Sequence, residues 1–111
     1  MKVEVVKGGV GDINLMVDGE SVKILIGASG EKTRECGLSA CDAVQMYRMM
    51  HEEIHTQMSV GDSMYASYDD ASESWRIVIG NLTAVLGKKD CVAMAMALEV
   101  AIASLVLKKG E

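Results

Sequence analysis

The sequence has no proline and no phenylalanine, and one tryptophan and three tyrosines are its whole aromatic complement. Without proline no turn is fixed by a locked φ, so Gly, Asn, Asp and Ser must punctuate the chain. Without phenylalanine the core has to be filled by Val, Ile, Leu, Ala and nine methionines, whose flexible thioethers fit irregular gaps. Basic charge is also short. Eleven Lys and Arg stand against 16 Asp and Glu, a formal net charge of −5, divided 6 against 9 through Ser59 and 5 against 7 after it. Proteins that track phosphates gain affinity through Lys and Arg that release counterions, and the basic pairs here are Lys88-Lys89 and Lys108-Lys109. Nucleic-acid binding is therefore disfavoured.

Long apolar runs are missing as well. The longest, Cys91 to Leu107, has 17 residues and carries Glu99 near its middle. A spanning helix needs about 20 apolar residues and is penalised by a central carboxylate, so no membrane association is expected. The chain opens on a charged, strand-like run instead of an apolar leader, and its three cysteines, Cys36, Cys41 and Cys91, are odd in number. These features predict free thiols and a cytoplasmic protein.

What remains is enough for one domain over residues 1–111, half of them apolar. Val3, Val5 and Val6, then Ile13, Leu15 and Val17, then Val22, Ile24 and Ile26 alternate as strands with one buried face, and Asp18-Gly19 suits a tight hairpin turn. The stretch from Gly27 to Gly37 is polar and reads as a loop. Ser39-Ala40-Cys41-Asp42 fits a helix cap and starts a helix expected over 40–58, with Ala40, Ala43, Val44, Tyr47, Met50, His51, Ile54 and Met58 on the stripe facing the sheet. Met49 falls on its polar side. Met64, Ala66 and Tyr68, then Trp75, Ile77 and Ile79, alternate again, and Gly80-Asn81 turns into Leu82–Leu86. Asp90 then reads as the N-cap of a helix over 91–108.

The predicted class is therefore α+β: two successive β-β-β-α halves, 1–59 and 60–111, with antiparallel sheets and both helices packed on one side. Val22–Gly27 resembles Leu82–Gly87, 60 residues on, which reads as an internal duplication. Three strands and a helix, twice, loosely resemble the Whirly and PC4-like single-strand-binding folds. That resemblance rests on element order alone, and the acidic charge opposes the nucleic-acid partner it would imply.

The second helix is apolar nearly all round, and its own sheet can cover only one face. Ala93, Ala97, Ala101 and Ser104 form a small-residue ridge beside Met94, Leu98 and Leu105, a surface suited to pairing with a second copy.

The sharpest motif is His51-Glu52-Glu53-Ile54-His55, which matches H-E-x-x-H. On a helix, imidazoles at i and i+4 share a side where they bind zinc while the Glu activates a bound water. The five residues resemble the zincin metallopeptidases. The resemblance implies His51 and His55 as ligands and Glu52 as the base. Its gluzincin branch implies a Glu on a later helix, here Glu99, with Asp69, Asp70 and Glu73 as weaker candidates. The plainer reading makes His51, in the middle of the apolar stripe, a core histidine with one hydrogen-bond partner, and puts His55 at the polar edge of that stripe.

Cys36, Cys41, His51 and His55 also approach a Cys2His2 pattern, but ten helical residues span about 15 Å, too far for one zinc ion. Gly27, Gly30, Lys32 and Thr33 suggest an anion-binding loop that departs from the phosphate-loop pattern at Glu31. Cys91, in the first turn of a helix, is the thiol to test for reactivity, although a buried, inert thiol is the plainer expectation.

Together these readings favour a non-enzymatic interaction protein, homodimeric through its C-terminal helix, binding another protein through its exposed sheet face or the Gly27–Gly37 loop, with no cofactor. The alternatives are a zinc-dependent hydrolase and an anion- or small-ligand-binding module using the Gly27–Gly37 loop.

Overall fold

A computed structural model of the chain describes residues 2–6, 12–18, 21–27, 30 and 32–109. Strands β1 (Lys2–Val6), β2 (Asp12–Asp18), β3 (Ser21–Gly27) and β4 (Arg34–Leu38) lead into helix α1 (Ala40–His51). Strands β5 (Gln57–Val60), β6 (Met64–Asp69), β7 (Ser74–Ile79) and β8 (Leu82–Leu86) lead into α2 (Lys88–Lys109). Each set of four forms an antiparallel meander in sequence order, so the α+β class and the succession of two strand-then-helix halves stand.

Alternation explains the strands that the sequence made plain. Ile13, Leu15, Val22, Ile24 and Ile26 are fully buried, and the pairs Leu15↔Ile24 and Ile13↔Ile26 set the β2–β3 register that puts them on one face. Asp18 pairs with Ser21, and the Gly19 of the expected tight turn lies outside the described residues. In the second sheet Ala66↔Ile77 and Ile77↔Ala84 do the same, and Gly80 turns β7 into β8 with a φ of 62°.

Each half has one strand more than expected. Arg34–Leu38, read as loop, pairs with β3 and places Cys36 and Leu38 opposite Ile24 and Val22. Gln57–Val60, read as the end of the first helix and its break, pairs with β6 and buries Met58 beside Ala66. Of the two similar segments, Val22–Gly27 is the third strand of its sheet and Leu82–Leu86 the fourth strand of the other.

Helix α1 starts as expected. Ser39 Oγ accepts from the Asp42 amide at 3.1 Å and donates to the Asp42 carboxylate at 3.0 Å. It ends seven residues before Met58. Glu53 takes a left-handed φ of 53°, and the Ile54 amide returns to the Met49 carbonyl at 3.0 Å, a Schellman closure. The buried face is Ala43, Met46, Met49 and Met50, so Met49 is core while Ala40, Val44, His51 and Ile54 are exposed. Helix α2 begins earlier than expected, because the Gly87 carbonyl accepts from the Cys91 amide at 2.9 Å and Asp90 lies inside the first turn.

The two helices pack along each other. Helix α2 also lies against β1, β2 and β3 of the first sheet and against β8, while α1 touches β3 and β4. The sheets meet at β3 with β8 and β4 with β7, where Arg34 Nε donates to Asn81 Oδ1 at 3.1 Å. One continuous core, from Ile13 through Trp75 to Leu105, draws on both sheets and both helices.

Candidate functional site

The H-E-x-x-H residues do not converge. The helix stops at His51, so His55 is not one helical turn further along the same face. His51 is exposed and stacks on Tyr47, Glu52 approaches Arg48 at 3.9 Å, and His55 stacks on Tyr68 beyond the helix. Glu99 is exposed on α2. Among the described residues no group of three or more His, Cys, Asp or Glu side chains is placed to hold a metal ion. The set His51, His55 and Glu99, with Glu52 as base, is thereby corrected: the Schellman turn at Glu53 takes away the helical spacing on which that chemistry rests. Cys36 is buried in β4 and Cys41 exposed on α1, so the Cys2His2 pattern is not assembled either.

The glycine-rich loop has no helix behind it. Gly27 ends β3, Gly30 has a φ of 79°, and the exposed Lys32 and Thr33 run directly into β4. The helix N-terminus that would strengthen anion binding there is thus missing from the arrangement.

All three cysteines are free. Burial first, then the Asp90 carboxylate, push the Cys91 thiol up to about 11, and it donates to the Leu86 carbonyl at 3.6 Å. Its place in the first turn of α2 does not make it a thiolate. Burial and Asp42 likewise raise Cys36.

The side chains expected to form the dimer surface are spent inside the chain. Met94, Ala97, Leu98, Ala101 and Leu105 are buried, Ala93 is half-buried, and Ser104 donates back to the Val100 carbonyl. The small-residue ridge serves the approach of α2 to its own chain. Outward, α2 presents Val92, Met96 and Val100, which are 59, 63 and 48 % exposed. Among the described residues no helix is long and apolar enough to cross a membrane.

Concavities accompany these surfaces. A groove of about 670 Å³ runs beside α1, lined by Cys41, Val44, Arg48, Met49 and Ile54 among others. A smaller cavity of about 240 Å³ lies where the α1–β5 turn, β6, β7 and the start of α2 come together. His55 stacks on Tyr68 with ring centroids 3.7 Å apart and planes 4° from parallel, and Tyr68 meets Trp75 edge-on at 5.6 Å. Glu53, Glu73, Lys88, Cys91 and Val92 complete most of the lining. Glu53 and Glu73 are also, among the described residues, the non-glycine positions with left-handed backbone, at φ 53° and 51°. Burial raises the Tyr68 hydroxyl, and the carboxylates of Glu73, Asp70 and Glu53 raise it further. The sequence singled out His55 and Glu73 only as metal candidates and missed the cavity. No spacing signals it, since its lining comes from four separate segments.

A scan against protein-family models finds no match for this chain, and no curated protein matches it.

Proposed function

We propose that the protein is a non-enzymatic interaction module that pairs with a second copy of itself through the outer face of α2. The observation that carries this reading is the stripe Val92, Met96 and Val100, spaced i, i+4, i+8 and each about half exposed or more. Such spacing lines one side of a helix, and covering three aliphatic side chains of this size contributes roughly 1 kcal/mol or more apiece. Scattered surface apolar residues are ordinary, but three at i, i+4 and i+8 on a helix whose opposite face is already packed mark a contact surface, with the exposed Glu99 beside them.

Light scattering and sedimentation equilibrium test it. The wild-type chain should sediment as a dimer at micromolar concentration, and Met96→Lys, at a position 63 % exposed in the single chain, should be a folded monomer. A monomeric wild type at high concentration, or a Met96→Lys variant that still pairs, refutes the reading.

One further observation favours a second reading. The outer face of the β5–β8 sheet carries Tyr65, 42 % exposed, opposite Val78, with Ser59, Ser67, Thr83 and Arg76 around it. A ring on an open sheet among hydroxyls and a cation is a platform on which single-stranded bases stack. The charge of −5 weighs against it. Fluorescence anisotropy with a labelled single-stranded oligonucleotide decides: salt-sensitive binding lost in Tyr65→Ala supports this reading, and no binding at low salt removes it.

A further inference from the structure

The geometry points to a binding site for an alkylammonium group in the cavity between the α1–β5 turn, β6, β7 and the start of α2, with Tyr68, Trp75 and His55 as its ring wall and Glu53 and Glu73 as its counter-charge. The three rings form one connected stack, His55 flat on Tyr68 and Tyr68 edge-on to Trp75, so the wall is aromatic along its length. A cation is attracted to such ring systems through their quadrupoles, and the attraction grows when water is partly excluded. At about 240 Å³ the cavity has room for a head group the size of trimethylammonium.

Charge selects the same class of ligand. Glu53 and Glu73 both line the cavity, against Lys88 as the cation in its lining. The carboxylates of Glu73, Asp70 and Glu53 all act on the Tyr68 hydroxyl, and that of Asp90 acts on Cys91, so carboxylates surround the rings on more than one side. An anion would meet those carboxylates unfavourably, and a neutral apolar group would gain nothing from them. A metal ion is a poorer match, since no three ligating side chains converge among the described residues.

Trp75 is the only tryptophan and lies in the wall, so its fluorescence reports occupancy directly. Titration of the wild-type chain with choline should give a saturable change in the millimolar range, and choline's neutral carbon isostere should give none. Glu73→Gln, in an exposed turn where folding is not at risk, should weaken choline about fivefold. A peptide carrying trimethyllysine, titrated in parallel, identifies the source: tighter binding than choline assigns the group to a protein partner, and weaker binding to a free amine. No saturable response to either cation, an equal response to the neutral isostere, or an unchanged affinity in Glu73→Gln overturns the assignment.

Discussion

Replacing Glu53 by glycine should stabilise the protein, and the structure sets the size of the gain. Glu53 follows the last turn of α1 with a φ of 53°, where the Schellman closure needs a left-handed residue. An L-residue pays about 1–2 kcal/mol for that conformation, while glycine adopts it freely but loses about 0.5–1 kcal/mol more chain entropy on folding. The carboxylate also stands at the negative end of the helix, an unfavourable placement of about 0.3–1 kcal/mol. The balance for Glu53→Gly is a gain of about 1 kcal/mol, or a rise in melting temperature of about 4 °C for a domain of this size. Glu53→Ala removes the same charge but keeps a Cβ on the left-handed backbone, so it should gain no more than about half as much. Urea denaturation followed by Trp75 fluorescence measures both. A glycine variant no more stable than the alanine variant would refute the argument that backbone conformation, rather than charge, holds this turn under strain.

Two further outcomes follow from the titrating groups. Cys91 should stay unmodified by a thiol reagent at neutral pH while the exposed Cys41 reacts at once, because the Cys91 thiol is pushed up to about 11. Since that value is raised above the unfolded one, its contribution to stability is complete below about pH 9 and fades as pH climbs toward 11; rapid labelling of Cys91 in the folded state refutes this. Asp69 accepts from the Ala71 amide and the Ser72 hydroxyl and lies 3.7 Å from Arg76, and these contacts, led by the Ser72 hydrogen bond, lower its pKa. Its contribution should be present above the ordinary carboxylate value near 4 and be lost as pH falls through the lower folded value. Asp69→Asn should flatten that part of the acid unfolding profile, and a variant with an unchanged profile counts against the role given to this turn.

The elements that the sequence revealed are those whose side chains alone determine their place. Ile13 and Leu15 on β2, Val22, Ile24 and Ile26 on β3, and Ile77 and Ile79 on β7 alternate because one face of each strand is buried. Strands β4 and β5 escaped because both lie at sheet edges, are short, and carry glycine or small polar residues between their few buried positions. Their backbone pairing with one neighbour, not a hydrophobic pattern, makes them strands. The end of α1 was hidden for a related reason: the left-handed position holds Glu53 where glycine or asparagine would have announced it. That single residue also removed the metal reading, since an unbroken helix would have kept His51 and His55 on one side. The α2 surface was half legible. Its apolar character was evident, but which face meets the chain's own sheets depends on a packing partner, the first sheet, that lies far away in sequence.

Val92 belongs both to the outer stripe of α2 and to the lining of the ring-walled cavity, so the two proposed surfaces touch at one residue. That adjacency gives self-association a way to influence the cavity. A second copy seated on α2 would cover Val92, dry the cavity's rim and strengthen cation–π attraction within it. Met96 lies one helical turn beyond Val92 and does not line the cavity. Met96→Lys therefore separates the two surfaces. Choline binding that survives in a monomeric Met96→Lys variant makes the cavity a property of one chain, whereas affinity that falls together with dimer formation makes the neighbouring copy part of its wall. If pairing fails altogether and choline still binds, the cavity stands without the dimer. If the dimer forms and choline has no effect, the α2 surface stands without the cavity.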